Sequence, residues 1–133
     1  MGLKVRTVSR LSAPVTFSDG TTVEVRALTV IQRERVADSA TKGGEFDRDK
    51  WAEEAAEVYI GGWSCMPASF VRERVELEDD PATDSDGYVP YDKETARDLW
   101  RHADPARFSR KIQDASAEIL RSVEAEKDRQ KNG

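Results

Sequence analysis

The residues 84–100, DSDGYVPYDKETARDLW, bring together the oxygen ligands that a calcium loop would need. An EF-hand places acids at positions 1, 3 and 5, glycine at 6 and glutamate at 12. With Gly87 at position 6, Asp86 and Asp84 fall at 5 and 3, but position 1 is Ala82 and position 12 is Lys93. Two ligands are missing, and a cation stands in for one of them. The segment therefore reads as architecture. Asp86-Gly87 makes a turn, Pro90 keeps the following residues extended and Asp92 caps a helix.

Other reactive groups are sparse. His102 is the single histidine, so no paired-histidine metal site can form. Cys65 and His102 could act as nucleophile and base. However, Cys65 beside Trp63 and Met66 has the setting of a small buried hydrophobe, and His102 that of a polar helix-end residue. The Gly-Gly pairs at 43 and 61 lack the spacing of a phosphate cradle. Trp51, Trp63 and Trp100 could stack on bases, but without a basic groove they read as core anchors. The expectation is no enzyme activity and no catalytic, cofactor or metal site.

The bulk properties agree. A chain of 133 residues, 35% charged and 38% hydrophobic, supports one modest core. Its net charge of −5 argues against unaided nucleic-acid binding. One cysteine fits a reducing compartment. MGLKVRTVSR has no apolar signal core, and Arg6 stands where a myristoylation motif needs Ser or Thr. No apolar run is long enough for a bilayer.

The expected fold is α+β, mainly α: an N-terminal hairpin or short sheet, then four to five helices, in a single compact domain over 1–123. The hairpin falls at about 15–27, turning at Asp19-Gly20, with Val23 and Val25 on one face and Glu24 and Arg26 on the other. Leu3–Val8 is a candidate third strand. Helices are expected at about 30–41, 48–60, 93–103 and 105–123. Thr29 and Gln32 form a capping box for the first, and Asp47 caps the second. Gly43-Gly44 and Gly61-Gly62 stop these two helices. The segment 69–80 fits a short helix or a strand equally well. Six acids and no base lie between Glu76 and Asp86, as in a solvated loop. Residues 124–133 read as a polar, flexible tail.

The ordered motifs DGTTVEVRAL, TVIQRERVADSA, VYIGGW, DGYVPYDKETARDLW and DPARFSRKIQDASAEI resemble the tail assembly chaperones of long, flexible-tailed bacteriophages. The likeness covers most of residues 15–120 and rests on Trp63, Asp86-Gly87, Pro90 and the 114–119 segment DASAEI; residues 64–85 run longer than the usual pattern. It implies a protein that binds the helical tape measure protein and keeps it soluble until tail tube subunits polymerise around it. It also implies an indirect link to the tube protein, in many such phages through a longer frameshifted form. The setting is the host cytoplasm rather than the mature virion, without cofactor, nucleic acid or membrane; self-association is compatible with it.

A holdase of this kind needs an apolar face to cover its client's stripe. Two stripes offer one: Trp51, Ala55, Val58 and Tyr59, and Phe108, Ile112, Ile119 and Val123. The competing reading of both is ordinary core. A structural tail completion or neck component would share the size and acidity. A helix-turn-helix over Val30–Ile60 is disfavoured by its long TKGGEFD connection and by Glu53, Glu54 and Glu57.

Overall fold

The computed structural model describes residues 11–132. Strands β1 (Ser12–Thr16) and β2 (Thr22–Arg26) form the expected hairpin, with Val15 opposite Val23. The Asp19 carboxylate accepts the Thr21 N–H at 3.0 Å, and Gly20 takes φ +94° to close the turn. Val23 and Val25 are fully buried while Glu24 faces solvent, so the alternation sets which face of the sheet meets the core.

Helix α1 (Val30–Ser39) opens with the expected capping box: Gln32 N–H donates to Thr29 Oγ1 and Thr29 N–H to Gln32 Oε1. It ends at Ser39 without help from Gly43-Gly44. Those glycines, at φ +64° and +82°, form the two-residue turn of a small hairpin between β3 (Thr41–Lys42) and β4 (Glu45–Phe46). Two successive positive φ angles are what such a turn requires. Helix α2 (Arg48–Tyr59) is capped by Asp47, which accepts from the N–H groups of Asp49 and Lys50 at 3.1 Å each.

The third strand is a correction to the sequence reading. Gly61 and Gly62 do not stop α2 in a loop; they lie in β5 (Ile60–Ser64), which pairs antiparallel with β2 in the order β1-β2-β5. Glycine is depleted in strands, which hid the element. Here the Arg26 side chain lies across Gly61, where a Cβ would meet its Nε at 3.4 Å, and Arg26 Nη1 donates to Glu57 O at 3.2 Å. The proposed strand at Leu3–Val8 lies outside the described residues.

The ambiguous segment supplies a short helix, α3 (Ala68–Arg72). The 84–100 region is indeed a turn and a cap. Asp84 Oδ1 accepts from the N–H groups of Asp86 and Tyr88 at 3.0 Å each, Gly87 sits at φ +85°, and Asp92 caps α4 (Lys93–His102). The last helix differs from expectation at both ends. Residues Pro105–Arg107 form a 3-10 turn, the backbone breaks at Phe108 (φ −146°, ψ −78°), and α5 spans Ser109–Asn132. Helix therefore runs through most of the segment expected to be a flexible tail; its Glu, Ala, Lys, Arg and Gln residues are strong helix formers.

The core joins the inner sheet face to α2–α5 through touching aromatic rings. Phe17 meets Phe70 at 5.0 Å and Phe108 at 6.3 Å, Phe108 meets Trp100 at 6.4 Å, and Trp100 meets Tyr59 at 5.4 Å and Trp51 at 5.9 Å. Arg74 closes one end of this cluster. Its guanidinium lies 3.6 Å from the Phe70 ring centre and donates to the carbonyls of Phe70 and Arg107. Burial pushes its pKa down, with the Arg107 charge adding to the shift.

One buried hydroxyl pins α5 to the end of β2. Ser116 Oγ donates to Arg26 O at 2.7 Å and accepts the Leu28 N–H at 3.2 Å. Ser116→Ala leaves both backbone groups unpartnered, so denaturant unfolding should show a loss of about 1–3 kcal/mol. A variant as stable as the parent would show that the clamp contributes nothing.

Candidate functional site

The candidate partner-binding residues mostly face inward. Ala55, Tyr59, Phe108 and Ile112 are core side chains, at most 5% exposed. Trp51, Val58 and Ile119 are partly buried and pack against that core, and Val123 is half-buried. The two stripes therefore do not form a ready apolar face. A client could reach Ala55, Tyr59, Phe108 or Ile112 only by opening the fold. The core reading of the stripes, stated as the competitor, describes these residues. Tyr59 illustrates their setting: burial raises its phenol pKa above the usual 10.0, opposed by a hydrogen bond with Gln113 and the Arg33 charge.

The reactive candidates are not assembled either. Cys65 is exposed and held at φ +56°, rather than buried as expected, because it turns the chain out of β5 toward α3. His102 is exposed at the end of α4, and no hydrogen bond joins it to Cys65 among the described residues. Asp84 is engaged by its own turn, and no group of three or more His, Cys, Asp or Glu among the described residues is placed to hold a metal ion. No described helix is long and apolar enough to cross a membrane.

Helix α2 is committed on its charged side as well. Arg101 of α4 meets Glu53 at 2.9 Å and Asp49 at 3.7 Å, while Arg97 and Lys93 meet Glu57 at 3.5 and 3.6 Å. This ladder follows from acids four apart on α2 facing bases four apart on an antiparallel α4. Exposed pairs contribute little energy each, but the pattern sets the register of the two helices.

Exposed large hydrophobic residues are spread over the described surface: Val30 and Ile31 lie on α1, Phe46 in β4, and Leu77, Tyr88 and Tyr91 between α3 and α4. Only Val36 of the ten residues of α1 is buried, and Val30 and Ile31 are 56% and 63% exposed. Beneath one flank lies an open notch of about 450 Å³ between α1 and α2. Leu28, Val36 and Val58 line it together with the polar Gln32 and Ser39 and the charged Arg26, Arg35, Glu54 and Glu57. A second cleft of about 280 Å³ lies on the other flank, beside Arg33 and Gln113. The notch is not legible in the sequence, because Leu28, Val36 and Val58 belong to three different segments and no single periodicity links them.

Comparison of the chain with protein-family models, curated proteins and solved structures found no match.

Replacing a core member of the stripes should be costly. Phe108→Ala is expected to lose about 3–5 kcal/mol in chemical unfolding, whereas Ile31→Ser should stay within about 0.5 kcal/mol of the parent. Equal effects at the two positions would contradict this division of core from surface.

Proposed function

We propose that the protein is a tail assembly chaperone of a long-tailed bacteriophage. In this reading it binds the tape measure protein in the host cytoplasm, keeps it soluble and leaves as the tail tube polymerises, so it is absent from the mature virion. The observation that carries the reading is the order of structural punctuation. Trp63 follows the second major helix, Asp86-Gly87 turns into an extended Tyr88–Tyr91 segment, Asp92 caps α4, and residues 114–119 lie on the last helix. These are the positions on which the resemblance rests, and their order along the chain supports the reading.

The surface chemistry supports the same reading. A holdase must present apolar surface without aggregating and must let go. The small apolar area around α1, set in a chain of net charge −5, suits weak, reversible contact. Within the stripes of α2 and α5, Ala55, Tyr59, Phe108 and Ile112 hold the fold together, and only Trp51, Val58, Ile119 and Val123 keep accessible surface.

Co-expression tests the proposal directly. The tape measure protein encoded beside this chain should move from the insoluble to the soluble fraction when both are made together, and mass spectrometry of purified particles should lack this chain. An insoluble tape measure in the presence of folded partner would remove the proposal. Stoichiometric recovery in particles would favour a structural tail component instead.

A further inference from the structure

We infer that the cleft between α1 and α5 is a binding site for a single carboxylate group, held by Arg33, the Tyr59 hydroxyl and the Gln113 side-chain amide.

The cleft measures about 280 Å³, and three helices contribute polar groups to it: Arg33 from α1, Tyr59 from α2, and Gln113, Asp114 and Ser116 from α5. That volume lies just below the range of pockets that take whole drug-sized ligands, so it suits one small functional group. Tyr59 and Ser116 are at most 5% exposed, whereas Arg33 and Asp114 stand exposed at the mouth. Ser116 has nothing to offer a ligand, because its hydroxyl already donates to Arg26 O and accepts the Leu28 N–H. Tyr59 does. Its ring is fixed by stacking on Trp100 at 5.4 Å, and its phenol meets the Gln113 side chain and feels the Arg33 charge, so the three groups converge. Burial raises the phenol pKa, which keeps the hydroxyl protonated and able to donate at neutral pH.

Arg33 makes no ion pair among the described residues. Its guanidinium presents parallel N–H groups that match the two oxygens of a carboxylate. The Tyr59 O–H and the Gln113 amide N–H add donors from the floor and the opposite wall. Asp114 decides which anion fits. Its carboxylate lines the same cleft and is likewise without an ion-pair partner among the described residues. A singly charged carboxylate can pair with Arg33 and leave Asp114 in water, whereas a phosphate dianion brings twice the repulsion to Asp114.

The test titrates the full chain with sodium acetate at constant ionic strength and follows the Arg33 Nε–H and the Gln113 amide by heteronuclear NMR. Both signals should shift saturably, with a Kd on the order of 1 mM, and inorganic phosphate should not displace acetate. Arg33→Gln should weaken acetate roughly ten-fold. Tyr59→Phe, which keeps the buried ring, should weaken it roughly five-fold. Asp114→Asn should retain acetate binding and admit phosphate. Far-UV circular dichroism confirms that each variant is folded. Shifts that do not saturate, saturation unmoved by Arg33→Gln and Tyr59→Phe, or phosphate binding as well as acetate in the parent would each overturn the inference. Two further arms identify the source of the carboxylate. Displacement of acetate by a short peptide with one Glu, and not by its Gln twin, assigns the group to a partner chain; displacement by neither leaves a free small acid as the ligand, and both outcomes support the site.

Discussion

Contact between six aromatic rings from five parts of the chain is the interaction on which this fold depends. Phe17 comes from the hairpin, Phe70 from α3, Trp100 from α4, Phe108 from the break before α5, and Trp51 and Tyr59 from α2. Phe46 of the small hairpin extends the series through Trp51 at 6.3 Å. All these separations lie in the range where aromatic pairs attract beyond simple burial. Among the described helices, α1, α2, α4 and α5 carry many charged residues, so the rings concentrate burial where elements meet. The backbone break at Phe108 coincides with the point where that ring meets Phe17, Phe70 and Trp100.

Arg74 and Ser116 complete the arrangement by serving polar groups that the rings cannot. Arg74 covers Phe70 and satisfies two carbonyls, while Arg107 returns a bond to Glu73 O at 2.9 Å, so α3 and the 3-10 turn are cross-linked in both directions. Ser116 does the same between α5 and β2. Helix α1 stands apart from both devices. It contributes one buried residue, no aromatic ring, and clefts on either side. The molecule is thus a well-tied body with one lightly attached helix, on which Val30 and Ile31 stay exposed.

Much of this was legible in the chain. Caps and turns are written locally, so Thr29 with Gln32, Asp47, Asp92, Asp19-Gly20 and Asp86-Gly87 identified helix starts and hairpin turns from neighbours alone. What failed depended on distant partners. Gly61-Gly62 looks like a helix stop until β2 is known to lie beside it. Cys65 looks buried until the chain is seen to reverse there at positive φ. The apolar stripes of α2 and α5 have the same periodicity whether they face a client or one another, and only the packing decides. The notch was invisible for the same reason.

Native-state hydrogen exchange of the intact chain tests the central claim most directly. Amides of α2, α4 and β2 should exchange together, through an opening whose free energy matches global unfolding, because the ring contacts bind them into one unit. Amides of α1 should exchange through a separate and easier opening. Protection in α1 equal to that of α2 and α4 would contradict the account.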